Sequence, residues 1–219
     1  MALLTDKDRV AVEQQFTDHL TLPVKLVFFT EQDNCLYCDE IQGLLEELAA
    51  LSPLLSVEVH DFEQETGLAA QFGIDKTPAF SVQSAGQDGA ADRDYGIRFY
   101  GIPSGYEFIS LLEAIKLVGS GRVSLSKATL DKLASLQQPL HLQVFVTPTC
   151  PYCPQAVVLA HQLAFASGKV TADMVEAMEF PELSDKYSVM GVPRTVINET
   201  TFVEGAVPEA LLISRLPHN

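Results

Sequence analysis

The residues able to do chemistry in this chain are its four cysteines, which stand as two Cys-X-X-Cys pairs: Cys35-Leu36-Tyr37-Cys38 and Cys150-Pro151-Tyr152-Cys153. Each pair follows a short apolar, strand-like run and opens a helical pattern. At a helix start the first sulfur lies beside unpaired backbone N–H groups and the positive end of the helix dipole, which stabilise a thiolate. The second cysteine lies one turn in, within reach of a mixed disulfide formed by the first, and resolves it by closing the intramolecular bond. Cys35 and Cys150 are the nucleophiles of this reading, and Cys38 and Cys153 the resolving thiols.

An X-Pro bond follows each pair at one distance, since Cys35 to Pro78 and Cys150 to Pro193 both span 43 residues. A cis Thr77-Pro78 or Val192-Pro193 bond would turn the chain sharply and bring its edge beside the cysteine loop. The backbone at Thr77 and Val192 would then be able to pair with an extended substrate segment. Tyr37 and Tyr152 read as aromatics that shape access to the sulfurs, with substrate contact as the alternative. Arg194 reads either as a residue that draws an acidic substrate or stabilises a thiolate, or as a solvated strand residue. His60, His141 and His161 are scattered and read as surface or strand-end residues.

The elements that must hold these residues are written twice. The offset of 115 that aligns the cysteine pairs also matches Pro78 with Pro193, Leu44 with Leu159, Phe72 with Tyr187 and Ile74 with Val189. Such self-similarity marks an internal duplication. In the first half the pattern predicts a helix over 6–20 capped by Thr5, a strand over 24–30, and a helix from the cysteines to about Ala50. A strand over 54–59, a helix over 63–72 and a hairpin of 79–83 with 97–100 follow, separated by the polar loop Gly86–Asp92. Ser104-Gly105-Tyr106-Glu107 has the form of a capping box and opens a helix to about Val118.

The second half predicts helix 126–136, strand 141–146, helix 151–166, strand 170–177, a short helix near 182–187, two strands around 194–204 and helix 208–215. Gly119-Ser120-Gly121 reads as a flexible linker, which divides the chain into domains 1–119 and 120–219. The fold class is α/β: two tandem thioredoxin-like domains, each a mixed central sheet flanked by helices.

Composition narrows the function. At 219 residues, 47% hydrophobic and 20% charged, the chain is an ordinary globular protein with enough apolar material for two cores. A formal charge of −15 argues against nucleic acid and anionic membranes as partners, because both demand clustered Lys and Arg. The start at Met1-Ala2-Leu3-Leu4 lacks a basic region followed by a long apolar one, and no apolar run is long enough to span a bilayer, so a cytoplasmic location is expected. Cysteines in a reducing compartment are catalytic or metal-binding more often than structural.

With its paired motifs and matched prolines, the chain resembles the protein disulfide oxidoreductases of archaea and thermophilic bacteria, glutaredoxin-like proteins built from two fused thioredoxin folds. The resemblance implies dithiol–disulfide exchange on disulfide-containing proteins, no bound cofactor, and recharging by a thioredoxin-reductase-type flavoenzyme. The Cys-Pro-Tyr-Cys at 150–153 is also similar to the dithiol glutaredoxin motif. The N-terminal domain of the flavoprotein component of alkyl hydroperoxide reductase is likewise a tandem thioredoxin fold, but it usually keeps one active pair, so two intact pairs favour the first family.

The chain departs from thioredoxin in two places and from glutaredoxin in one. Phe29 and Val144 stand where thioredoxins bury an Asp, and Asn34 and Thr149 stand where they place a Trp. Gly101-Ile102 and Gly205-Ala206 replace the Gly-Gly with which glutaredoxins hold glutathione.

Two rival readings use the same residues. Four cysteines can form a zinc site, although 111 residues between Cys38 and Cys150 is far beyond the usual ligand spacing. A thioredoxin fold can also serve as a non-catalytic binding or scaffold module. Between the two pairs, the C-terminal one is expected to be the more reactive. Pro151 pre-organises its first turn, while Asp33, Asp39 and Glu40 set negative charge close to Cys35.

Overall fold

The computed structural model describes residues 3–217 apart from Gln32, Asn34 and Asp88; the readings placed on Met1, Ala2, Asn34 and Asp88 lie outside the described residues. The chain divides into two compact units. One comprises Met1–Asp94, Tyr100–Ile102 and Ile115–Arg122; the other comprises Tyr95–Phe99, Pro103–Ala114 and Val123–Asn219.

In the first unit, α1 (Asp6–His19) starts where Thr5 and Asp8 exchange side-chain and backbone hydrogen bonds, a reciprocal cap that fixes the helix end. The strand β1 (Val24–Thr30) is central, with β2 (Leu55–Asp61) parallel on one side and β3 (Ala79–Ser84) antiparallel on the other. Its near-continuous burial is that of a strand covered on both faces. The helix α2 (Cys38–Ala49) buries Ile41, Leu44, Leu45 and Leu48, spaced three and four apart as one helix face requires. A short α3 (Thr66–Gln71) ends at Gly73, whose φ of 64° suits a residue without Cβ.

Two elements differ from expectation. The strand β4 (Arg93–Tyr100) begins four residues before the expected 97. Arg93 and Asp94 are exposed and polar, so the start of that strand carries no apolar signal. The helix α4 (Glu107–Ser120) continues through Gly119 and Ser120, where a flexible linker was expected. Gly119 serves close packing instead: a Cβ there would collide with Leu20, and its carbonyl accepts from the N–H groups of Thr21 and Leu22, both at 2.9 Å.

The second unit repeats the plan. Ser126 caps α5 (Lys127–Ala134) by accepting from the Thr129 N–H. The central β5 (Leu140–Val146) pairs with β6 (Val170–Glu176) in parallel and with β7 (Arg194–Ile197) antiparallel, and β8 (Thr201–Glu204) adds to β7. The helices are α6 (Cys153–Ala166), α7 (Pro181–Lys186) and α8 (Glu209–Ser214). The pair β2 and α3 recurs as β6 and α7 at an offset of 115 residues, the offset that aligns the cysteines. Turn bonds recur with it: Ile74 N–H to Ala69 O in one repeat, Val189 N–H to Ser184 O in the other, each 2.9 Å. Among the described residues no helix is long and apolar enough to cross a membrane.

Candidate active site

Both cysteine pairs are closed on themselves, Cys35 to Cys38 and Cys150 to Cys153, with Cα separations of 5.6 and 5.5 Å. Among the described residues no cysteine is free. Cys38 and Cys153 are the first residues of α2 and α6 and are buried, while Cys35 is half-buried and Cys150 is 8% exposed. The nucleophile positions therefore precede their helices by one turn, and α6 starts two residues later than the expected 151. Around the second pair the chain is wound tightly: Cys150 N–H donates to Thr147 O at 3.1 Å, and Cys153 N–H donates to Cys150 Sγ at 3.1 Å. A backbone donor aimed at the first sulfur is what a thiolate there requires.

Thr77-Pro78 and Val192-Pro193 are both cis. Ala79, next to Pro78, pairs with Phe29, and Arg194, next to Pro193, pairs with Phe145. Phe29 and Phe145 each stand one residue from the end of the strand that leads into a cysteine loop. Each proline is thus brought to the cysteine end of its sheet. The carbonyls of Pro78 and Pro193 accept from Gly101 and Gly205, at 3.0 and 2.8 Å, the same closure in both repeats. Thr77 donates its hydroxyl to Glu31 at 2.7 Å, a bond that Val192 has no group to make. Tyr37 is half-buried beside Cys38, whereas Tyr152 is 68% exposed.

Arg194 is not a freely solvated strand residue. It pairs with Glu204 across β7 and β8 and lies 4.4 Å over the Phe202 ring. Of the histidines, His60 and His141 stand at strand ends as expected and His161 does not. His161 lies inside the second unit, 1% exposed and 4.9 Å from the Phe99 ring, where burial lowers its pKa to about 4. Its place on the inner face of α6 is the reason; a lone polar residue in an apolar pattern did not reveal it. His141 is held between Asp173 at 2.7 Å and Glu199 at 2.8 Å. Burial opposes its charge, but the two carboxylate bonds outweigh that and raise it to about 9.

Sequence reasoning missed two buried carboxyls. Gly105, at φ 59°, leaves no room for a Cβ because the Pro148 carbonyl occupies that place, and Tyr106 N–H donates to that carbonyl at 2.9 Å. The next residue, Glu107, is 1% exposed; one oxygen accepts from Ser110 Oγ at 2.6 Å and the other has no partner. Burial raises its carboxyl to about 7 against the opposing Ser110 bond. The expected capping box does not form, because α4 begins at Glu107 itself and its carboxyl turns to Ser110; read as a cap, the acid carried no mark of burial beside the turn before Cys150.

Glu176 ends β6 opposite Val146 and accepts from the N–H groups of Met178 and Glu179 at 2.9 and 2.7 Å. Its other oxygen is buried without a partner, and burial raises its carboxyl. Asp61 stands at the matching position of the first repeat and accepts from Glu63 and Gln64, both at 3.0 Å. The shared offset was the available signal.

Among the described residues, no three His, Cys, Asp or Glu side chains are grouped to hold a metal ion. Residues 140–216 match the thioredoxin domain family model. The chain is 30% identical over 178 residues to AhpF of the alkyl hydroperoxide reductase of Staphylococcus aureus, across 81% of its own length. It spans only 31% of the length of that relative.

Solved structures match nearly end to end. The NTD_N/C domain of alkylhydroperoxide reductase AhpF from Enterococcus faecalis is 28% identical with a TM-score of 0.88, covering 98% of this chain and all of that one. A protein disulfide oxidoreductase from Aeropyrum pernix is 28% identical with a TM-score of 0.85, covering 96% and 90%. Both families anticipated from the motifs are therefore structural relatives, and the likenesses do not separate them. Two tandem thioredoxin-like folds, each with a closed Cys-X-X-Cys, are thus what this chain has in common with these disulfide-exchanging relatives along nearly its whole length.

Proposed function

We propose that the chain is a dithiol–disulfide oxidoreductase acting on protein disulfides, with one redox module in each half, 1–119 and 120–219. The observation that carries this is the repeated arrangement of a closed Cys-X-X-Cys at a helix head with a cis proline at the same end of the sheet.

In the reducing direction, the Cys35 or Cys150 thiolate attacks one sulfur of the partner's disulfide and expels the other as a thiolate. The mixed disulfide is then resolved: Cys38 or Cys153, deprotonated, attacks the nucleophile's sulfur and releases the partner's second thiolate. Two protein thiols become one disulfide, the partner gains two electrons, and the protons pass to its sulfurs. Thr77 and Val192 offer backbone to an extended partner segment, and Tyr37 and Tyr152 border the approach. At the C-terminal site this reading gives Glu107, a buried acid that follows the Tyr106 bond to the turn before Cys150, the role of holding the proton that Cys153 gives up.

Electrons are supplied by a thioredoxin-reductase-type flavoenzyme in this reading. A second reading, favoured by the relatives' name, makes the chain an electron carrier for hydroperoxide reduction. Purified protein is expected to reduce insulin-like disulfides with dithiothreitol and to show four thiols when reduced and none when oxidised. Two thiols surviving oxidation would remove one site. Loss of activity to a chelator, with stoichiometric zinc present, would overturn the redox reading in favour of a metal site.

A further inference from the structure

The two sites share their sulfur geometry but not their surroundings. At the offset of 115, Asp33, Asp39, Glu40, Glu63 and Asp75 of the first repeat become Pro148, Pro154, Gln155, Met178 and Met190 of the second. Every one of the five acids is exposed. Their placement puts them around one site. Asp33 stands in the loop before Cys35, and Asp39 and Glu40 in the first turn of α2. Glu63 lies in the turn after β2, and Asp75 in the segment leading to cis Pro78.

Glu31 joins them through its bond from Thr77, the residue beside that proline. Lys76 pairs with Asp75 and sits 4.0 Å over the Tyr100 ring, so that pair adds no net charge and the excess is carried by Glu31, Asp33, Asp39, Glu40 and Glu63.

The second repeat presents the reverse. Met178 and Met190 are 78% and 94% exposed, and Tyr152 is 68% exposed. Met178 follows the end of β6, and Met190 lies three residues before cis Pro193. The turn that carries Met178 is fixed by the Glu176 carboxylate. Glu179, Glu182 and Asp185 stand farther along this segment with the cation Lys186, while Arg194 is paired with Glu204.

A surface of several like charges attracts an opposite one in the encounter and loses that advantage in salt. Unbranched, polarisable methionines on a surface fit varied apolar partners, with little dependence on salt.

We propose that the two sites divide their partners by surface chemistry: the Cys35 site selects disulfides set in a lysine- or arginine-rich surface, and the Cys150 site selects disulfides set in an apolar one. This rests on the oxidoreductase reading above; the exchange at each site is the one already written.

The test uses the full chain with one site silenced, as Cys150→Ser/Cys153→Ser or Cys35→Ser/Cys38→Ser, and dithiothreitol as reductant. The substrates are two disulfide peptides that differ only in flanks of Lys or Leu, with the small neutral bis(2-hydroxyethyl) disulfide as reference. The form keeping Cys35 is expected to favour the Lys peptide by about tenfold at low salt and to lose that preference near ~0.5 M salt. Neutralising Asp39, Glu40, Glu63 and Asp75 to their amides is expected to remove it as well. The form keeping Cys150 is expected to favour the Leu peptide at both salt levels, and Met178→Glu/Met190→Asp to reverse that choice.

Equal preferences in the two forms, with the reference disulfide turned over by both, would overturn the partition and leave the oxidoreductase standing. Failure of both forms on all three disulfides would overturn both readings.

Discussion

The Tyr106 N–H donates to the Pro148 carbonyl oxygen at 2.9 Å, fastening the start of α4 to the turn that carries Cys150. A bond of this kind makes the site depend on residues some forty positions upstream of its cysteine. It also places the buried Glu107 next to a turn whose geometry sets the sulfur.

Glu107 should make stability pH-dependent. Its carboxyl lies at about 7 in the folded protein against an ordinary 4.5, so the native state holds a proton that the unfolded chain gives up. The stabilisation is complete below pH ~4.5 and is lost as pH rises through about 7. Urea unfolding of the oxidised protein should show Glu107→Gln gaining on the parent by on the order of 2–3 kcal/mol between pH 5 and pH 8. A constant difference across that range would remove the charge argument. A shifted pH profile for the Cys150 site in the same variant would tie the carboxyl to the exchange.

Gly105→Ala should be costly out of proportion to one methyl group. The residue has φ 59°, and its Cβ would meet the Pro148 carbonyl. A loss of about 1–3 kcal/mol is expected, with slower exchange at Cys150 than at Cys35 in single-site forms. Thermal unfolding together with alkylation of each site would show whether the damage stays local. An unchanged melting temperature would mean that the turn yields easily.

Cys150 should outrun Cys35 when the reduced protein is alkylated in mildly acidic buffer. The Cys153 N–H at 3.1 Å from its sulfur favours a thiolate, and the rim around Cys35 is negative. Each exposed carboxylate contributes on the order of 1 kcal/mol or less, so a moderate ratio of rates is expected, not a silent first site. Cys150→Ser should accordingly cost more activity on a neutral disulfide than Cys35→Ser. Mass spectrometry of the labelled peptides would measure the order, and a faster Cys35 would reverse it.

Much of the frame was legible because the chain states it twice. The equal spacing from Cys35 to Pro78 and from Cys150 to Pro193 led to two cis bonds at matching positions of the two repeats. Apolar runs located β1 and β5, and Thr5 and Ser126 located helix starts. What escaped depended on partners distant in sequence. Gly119 looked like a hinge, but only Leu20 reveals that it is a contact. Glu107 had a sufficient local explanation as a cap, and its burial comes from packing that no local pattern carries. His161 sits in a helix whose interior is apolar, where one imidazole does not break the period. The paired acids Asp61 and Glu176 were readable from the duplication, yet neither lies near a cysteine in sequence.

Because all four cysteines are engaged in two separate disulfides, the molecule is a two-cell store that holds four electrons when full. Each cell fills by a two-electron step. A half-charged chain therefore exists in two versions, and their ratio is fixed by the difference between the two potentials. If that difference is large, one cell stays charged until the other is empty, and a single molecule can deliver two successive reductions of unequal strength.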